Sequence, residues 1–309
     1  MRLATTTADF RGYLETPADW VRGYEGTGFK HLDYTFYRSN YEGSPFMSDK
    51  DWMKEVIDAS KEAEKLGFDF VQAHSPGNDP FRDDFDNVVK GNVRSIEACA
   101  YLGIDRIVVH SGRSARFIAP DGWKAYLDGI RHFYEALYPA MEKYNVHVLA
   151  ENYTPASKNE CTLYTGSDLL ELLENCNHPM LGVCWDVGHG NLHNPAQYDD
   201  IVTLGDKLLA VHIQDNMGKN DDHICPYMGT LDIDAVMRGL KDNGFIDRNG
   251  VFTFECDNIV SFAQSWPNHR NSTGENIAAD PSYDVKKAAV TMMYQVGKNI
   301  LTRYNCFED

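Results

Sequence analysis

Val146-His147-Val148-Leu149-Ala150-Glu151 and Leu181-Gly182-Val183-Cys184-Trp185-Asp186 are two short apolar runs, each closed by a carboxylate. The arrangement recurs on both sides of them. On the N-terminal side, Phe68 to Ala73 ends in His74 and Arg106 to Val109 ends in His110. On the C-terminal side, Leu208 to Val211 ends in His212 and Val251 to Phe254 ends in Glu255. Runs of this length and composition read as strands buried on both faces, as in a parallel sheet. Two further strand candidates precede them, Arg2 to Thr7 and His31 to Phe36. Eight strands alternating with helices predict a (β/α)8 TIM barrel, with a doubly wound sheet as the alternative. In a barrel every strand's C-terminal end lies on one rim, where barrel enzymes place their chemistry. Side chains from position 74 to position 255 are then expected to share one pocket.

Helical patterns fill the gaps. Ser48-Asp49-Lys50-Asp51 reads as a capping box opening a helix with Met53, Val56, Ile57, Ala63 and Leu66 on one face. Asp84 to Leu102, Gly122 to Tyr144 and Asp234 to Asn243 read as further long helices. Thr165-Gly166-Ser167-Asp168 can cap Leu169 to Asn175, Asn194-Pro195 gives an N-cap with Pro at the first helical position, and a last helix is expected from Ser282 to Tyr304. Three connections, 37–47, 214–231 and 257–281, exceed what barrel loops need, and all follow strands. Their aromatics Tyr41, Phe46, Phe262 and Trp266 either wall a sugar or partner surface or simply pack locally.

The chain has 309 residues, 43% hydrophobic and 24% charged, with no Pro-, Gly- or Ser-rich linker, so a single domain over 1–309 is expected. A net charge of −17 argues against an extended nucleic-acid or anionic-membrane surface. Met1 to Thr7 lacks the apolar core of a signal peptide, and no stretch could span a bilayer. The seven cysteines are odd in number and form no CxxC pair, which reads as reduced thiols in a cytoplasmic protein.

Glu151, Asp186, His212 and Glu255 close the fifth to eighth strands. A lone strand-end carboxylate is most often an ordinary hydrogen-bonded acid, but this set recurs at four consecutive strand ends. Three carboxylates and one imidazole form a hard site suited first to Mn²⁺, then to Mg²⁺ or Co²⁺, with Zn²⁺ less favoured. His74 and His110 either orient a wall or contact substrate; the second is expected. Asp221 and His223, in the loop after strand seven, are open between a second metal, a substrate contact and holding their loop. Glu160 is a candidate contact for a substrate hydroxyl, and Arg113 and Arg116 follow His110 near the rim. Asp215, Asp221, Asp222 and Asp257 make that rim acidic against Lys219 alone. A neutral sugar, keto-sugar or glycoside is therefore expected over a sugar phosphate, unless Arg113 and Arg116 clamp the dianion.

Ala150-Glu151-Asn152, Gly182-Val183-Cys184-Trp185-Asp186-Val187-Gly188-His189, Val211-His212-Ile213-Gln214-Asp215-Asn216 and Phe254-Glu255 resemble the xylose-isomerase-like superfamily of sugar isomerases and epimerases. Asp221 to Asp232 also resembles that superfamily's loop after the seventh strand. The resemblance implies a divalent metal held by Glu151, Asp186, His212 and Glu255. In ketose 3-epimerases of this superfamily two metal-binding glutamates exchange a proton through an enediolate, and Glu151 and Glu255 match them. His189 matches a substrate-oxygen contact. The arginine those epimerases carry after the seventh-strand histidine is absent; Gly218 and Lys219 stand there.

The same superfamily implies alternatives. One is a lyase, cleaving 3-keto-C-glycosides with a small partner subunit or dehydrating an inosose. Another is a type IV apurinic endonuclease, whose nine zinc ligands are matched in type and order by His74, His110, Glu151, Asp186, His189, His212, Asp221, His223 and Glu255. The loops after these residues do not resemble that family's DNA-contacting loops, so sugar chemistry ranks first. A non-catalytic binding protein ranks last, since a buried carboxylate cluster is costly without a cation. The expected partners are a small sugar or glycoside and further subunits, either copies of this chain or a small companion, with neither nucleic acid nor membrane.

Overall fold

The computed structural model describes residues 1–37, 39–41, 43–117, 122–154, 160–260 and 281–308, with the backbone alone at Arg116. Eight strands form a closed parallel barrel in chain order: β1 Arg2–Thr6, β2 His31–Thr35, β3 Asp69–His74, β4 Arg106–Val108, β5 His147–Glu151, β6 Leu181–Asp186, β7 Leu208–Ile213 and β8 Val251–Phe254. β1 closes the ring by pairing with β8, from Arg2 opposite Val251 to Thr5 opposite Phe254. Closure excludes the doubly wound alternative. The chain folds as a (β/α)8 TIM barrel.

Register decides what reaches the rim together. Asp186 pairs with His212, Glu151 with Cys184 and Thr35 with His74. Inside the barrel Val108, Leu149, Cys184 and Ala210 form an apolar layer, and Ala4, Val71 and Val251 form another. A polar chain also crosses the interior. Thr253 Oγ1 on β8 donates to Gln72 Oε1 on β3 at 3.2 Å, and Gln72 Nε2 donates to Asp33 on β2 at 2.7 Å.

The outer helices are α1 Pro17–Gly23, α2 Lys54–Leu66, α3 Phe85–Leu102, α4 Gly122–Glu135, α5 Tyr138–Tyr144, α6 Gly166–Cys176, α7 Val187–His193, α8 Tyr198–Thr203, α9 Ile233–Asp242 and α10 Tyr283–Arg303. The Thr165–Asp168 capping box before α6 forms as expected. Three expectations fail for local reasons. α2 opens at Met53 without a side-chain cap, because the Ser48 hydroxyl donates to the Lys50 carbonyl in a preceding turn. Asn194-Pro195 is a turn, with Asn194 Oδ1 accepting from Ala196 N, and α8 starts only at Tyr198. The stretch from Gly122 to Tyr144 breaks into α4 and α5 around Leu137, where Pro139 removes an amide donor. Among the described residues all seven cysteines are free, and no helix is long and apolar enough to cross a membrane.

Candidate active site

The C-terminal rim opens into a cavity of about 780 Å³, whose wall includes His74, His110, Glu151, His189, His223 and Glu255. His74, His110, Glu151 and Glu255 stand at or within two residues of a strand end, whereas His189 comes from α7 and His223 from the loop after β7. Asp186 also caps α7, its Oδ1 accepting from His189 N at 2.6 Å, so one residue ends the strand and starts the helix. Gly188, in the first turn of α7, leaves room for the Gln214 amide: a Cβ there would sit 2.0 Å from it and displace it. That glutamine bridges two carboxylates, its Nε2 lying 3.2 Å from Asp186 and 2.7 Å from Asp221.

Glu151, Asp186, His212 and Glu255 place one ligand atom each within 4.8 Å of one another. His212 Nδ1 is 2.6 Å from Glu151 Oε1 and 3.3 Å from Glu255 Oε2. Two further triads of histidines and carboxylates come equally close, His74–His110–Glu151 and His189–Asp221–His223, as do Glu151, Cys184 and His212. Glu151 Oε2 lies 2.9 Å from His110 Nε2, and Asp221 Oδ2 lies 3.0 Å from His189 Nε2 and 3.2 Å from His223 Nε2. Three of these imidazoles are anchored behind by backbone carbonyls. Nδ1 of His74, His189 and His223 lies 2.9, 2.7 and 2.9 Å from the carbonyls of Ser75, Asn152 and Glu255. A carbonyl can only accept, so Nδ1 donates and Nε2 is turned toward the cavity, the arrangement that prepares an imidazole to bind a cation or a substrate oxygen. His223 achieves this with φ of +49°, a left-handed backbone that costs a non-glycine residue about 1–2 kcal/mol.

Burial and charge compete throughout. Burial alone would raise Glu151, yet His212, His110 and His74 hold it well below the usual carboxylate range. Glu255 is likewise brought down to about 2 by His212 and His223 against its burial. Asp221 is held low by His189 and His223, whereas burial pushes Asp186 up to about 7. His189 moves the other way: burial lowers it, but Asp186 and Asp221 carry it up to about 10.

The site is chemically suited to a divalent cation. Asp186 Oδ2 is buried and, among the described residues, has no hydrogen-bond partner. A carboxylate oxygen left so is costly unless a cation meets it.

Not every candidate joins the cluster. Glu160 is ion-paired with Arg82, and of the two only Arg82 lines the cavity. Arg113 lines the cavity too, 4.9 Å over the Tyr153 ring and donating to Thr154 Oγ1 at 2.6 Å. The Arg116 side chain, Phe262 and Trp266 lie outside the described residues. In the loop after β2, Phe46 is buried against Phe36 and Trp52, and Tyr41 is exposed. Tyr37, not either of these, reaches the cavity, edge-on to His74. Sequence reading also missed Asp33, 1% exposed, whose Oδ2 lies 3.4 Å from His212 Nε2.

A family model described as the xylose isomerase-like TIM barrel matches residues 27–277. The chain belongs to that family. Among curated proteins, this xylose isomerase-like barrel is 28% identical over 158 residues to the uncharacterised protein y4fM of Sinorhizobium fredii, covering 48% of this chain and 47% of that one. It is 26% identical over 165 residues to an inosose isomerase of Bacillus licheniformis, covering 52% and 57%. The chain spans about half the length of the curated relatives it matches. Its fold is similar to the crystal structure of a D-tagatose 3-epimerase-like protein, with a TM-score of 0.73 at 18% identity over 99% of this chain and 98% of that one.

Proposed function

We propose that this chain is a divalent-metal-dependent isomerase or epimerase of a sugar or keto-sugar, moving a proton at the carbon next to a carbonyl. One observation carries the reading: two glutamates at the ends of β5 and β8, Glu151 and Glu255, flank His212 Nδ1 and are both held ionised on the wall of one cavity. An ionised carboxylate on one face of the substrate carbon removes its proton; the carboxylate on the other face returns a proton that it has taken up from solvent, and the first releases its own to solvent to reset the pair. Glu151, Asp186, His212 and Glu255 would hold the cation, Mn²⁺ in the first place. Bound there, it would act as a Lewis acid that eases formation of the enediolate. His74, His110, His189 and His223 present Nε2 toward the cavity, where they hydrogen-bond substrate oxygens and restrict which carbon sits between the glutamates. The names of the relatives support the reading: one is an inosose isomerase, and the barrel with a similar fold is D-tagatose 3-epimerase-like. Dehydration or C-glycoside cleavage would start from the same proton removal.

A second reading, phosphodiester hydrolysis with three cations, is favoured only by the two extra triads. The test separates them. Protein stripped of metal and titrated with Mn²⁺ should bind one equivalent and then convert a ketose, inosose or 3-keto-glycoside, as followed by ¹H NMR. Three tightly held metals and cleavage of an abasic-site oligonucleotide, with no keto-sugar converted, would reverse the ranking.

A further inference from the structure

The far side of His212 faces a fully buried acid that none of the proposed chemistry uses. Asp33 sits in the middle of β2 and His212 near the end of β7, so their approach crosses the barrel interior. Asp33 Oδ2 takes one neutral donor, Gln72 Nε2 at 2.7 Å, and lies 3.4 Å from His212 Nε2. Asp33 Oδ1 and His212 Nε2 are each buried and, among the described residues, lack a hydrogen-bond partner. Among the described residues no lysine or arginine pairs with Asp33, and His212 is the one basic side chain within 4.0 Å of it. A buried carboxylate with a single amide donor is poorly compensated. Among the described residues, the one ring nitrogen within 4.0 Å of this carboxylate is His212 Nε2, itself without a partner. Thr253 holds Gln72, and Gln72 holds Asp33, so the acid cannot turn away from the imidazole. The ring plane is fixed as well, since His74 stacks on His212 with centroids 5.7 Å apart at 20°.

We propose that Asp33, held by Gln72 and Thr253, is a positioning residue that keeps the His212 Nε2 proton on the inner side of the ring and thereby directs the Nδ1 lone pair at Glu151 and Glu255. The inference rests on the cation site proposed above, because an outward Nδ1 lone pair facing two carboxylates is useful only toward a cation. An acid behind a metal-binding imidazole raises its basicity and fixes its orientation, and loss of such a partner costs about 10–100-fold in metal affinity.

Two measurements test this. Isothermal titration of metal-stripped protein with Mn²⁺ should show Asp33→Asn, which keeps the volume and removes the charge, binding about 10–100-fold more weakly than wild type, while its metal-free melting temperature does not fall. Binding of the folded Asn variant within threefold of wild type would overturn the proposal. Should that variant fail to fold, ¹⁵N-histidine spectra of wild-type protein decide alone. The His212 resonance, identified by its loss in His212→Gln, should show a protonated Nε2 both without metal and with Mg²⁺. An unprotonated Nε2 would overturn the proposal. A wild type that binds no divalent metal, yet keeps this Nε2 proton, would remove the cation site and leave the Asp33 contact standing.

Discussion

Glu151 is ringed by His74, His110 and His212 at 3.7, 2.9 and 2.6 Å, and Glu255 shares His212 with it. The two acids thus stay ionised despite burial, but only one pairs closely with three imidazoles, so they are not equivalent. Glu255→Gln, which preserves shape, should cut turnover about 10²–10⁴-fold, the usual worth of a general base or acid. Deuterium uptake measured on each of two epimers separately should show one epimer still exchanging slowly through Glu151. Equal loss on both, together with lost metal content, would make Glu255 a ligand only. The clustering of Glu151, Asp186, His212 and Glu255 was legible in the sequence because each member terminates an apolar run. Asp33 was not. A strand buried on both faces loses the alternation of polar and apolar residues that tells inside from outside, so nothing marks Asp33 as facing the interior between Leu32 and Tyr34. Gln214 was hidden for a different reason: its role depends on Gly188 leaving room for it, a contact between a loop and a helix 26 residues apart.

At the scale of elements, α10 does more than cover the barrel. Lys286, in its first turn and fully buried, donates to the carbonyls of Asp257 and Ile259 at 3.0 and 2.8 Å, and so anchors the chain immediately after Glu255. Asp9, which follows β1, lies in the same buried cluster. Burial raises it from 3.8 to about 6, even with Lys286, Thr5 and Tyr24 working against that shift. Because the folded pKa is above the unfolded one, the fold binds an extra proton between these values. Asp9 therefore costs stability as pH rises through about 4 to 6, at about 1.4 kcal/mol per pH unit. Relative to wild type, Asp9→Asn should gain up to about 3 kcal/mol between pH 4 and pH 7 in urea unfolding. A constant difference across that range would show Asp9 to be ionised in the fold. Periodicity located the long helices α3, α9 and α10 within a residue or two of their ends. Two errors fell at caps, where Ser48 and Asn194 satisfy turns instead of helix starts, since short polar side chains serve both purposes, and the third fell at Pro139, which splits α4 from α5.

For the whole molecule, barrel closure turns a list of strand ends into a site. A second cavity of about 570 Å³ opens around Arg2, Asp69, Arg106 and Val251, at the strands' opposite ends, and none of the histidine–carboxylate cluster lines it. The histidine–carboxylate cluster thus stands at the C-terminal ends of the strands, as the order of the runs implied. What the sequence left open was whether His74, His110, Asp221 and His223 would stand with the quartet; that depends on loop geometry, including the left-handed turn at His223, which no periodicity encodes. The central claim is that this cavity moves a proton next to a carbonyl. Its most direct test is the Mn²⁺-loaded protein in D₂O with a ketose or inosose, followed by ¹H NMR. The account predicts that deuterium appears at the carbon beside the carbonyl, with the isomer forming alongside and both lost in Glu151→Gln. No uptake and no isomer from any keto-sugar, with cleavage of abasic DNA by the same preparation, would contradict it.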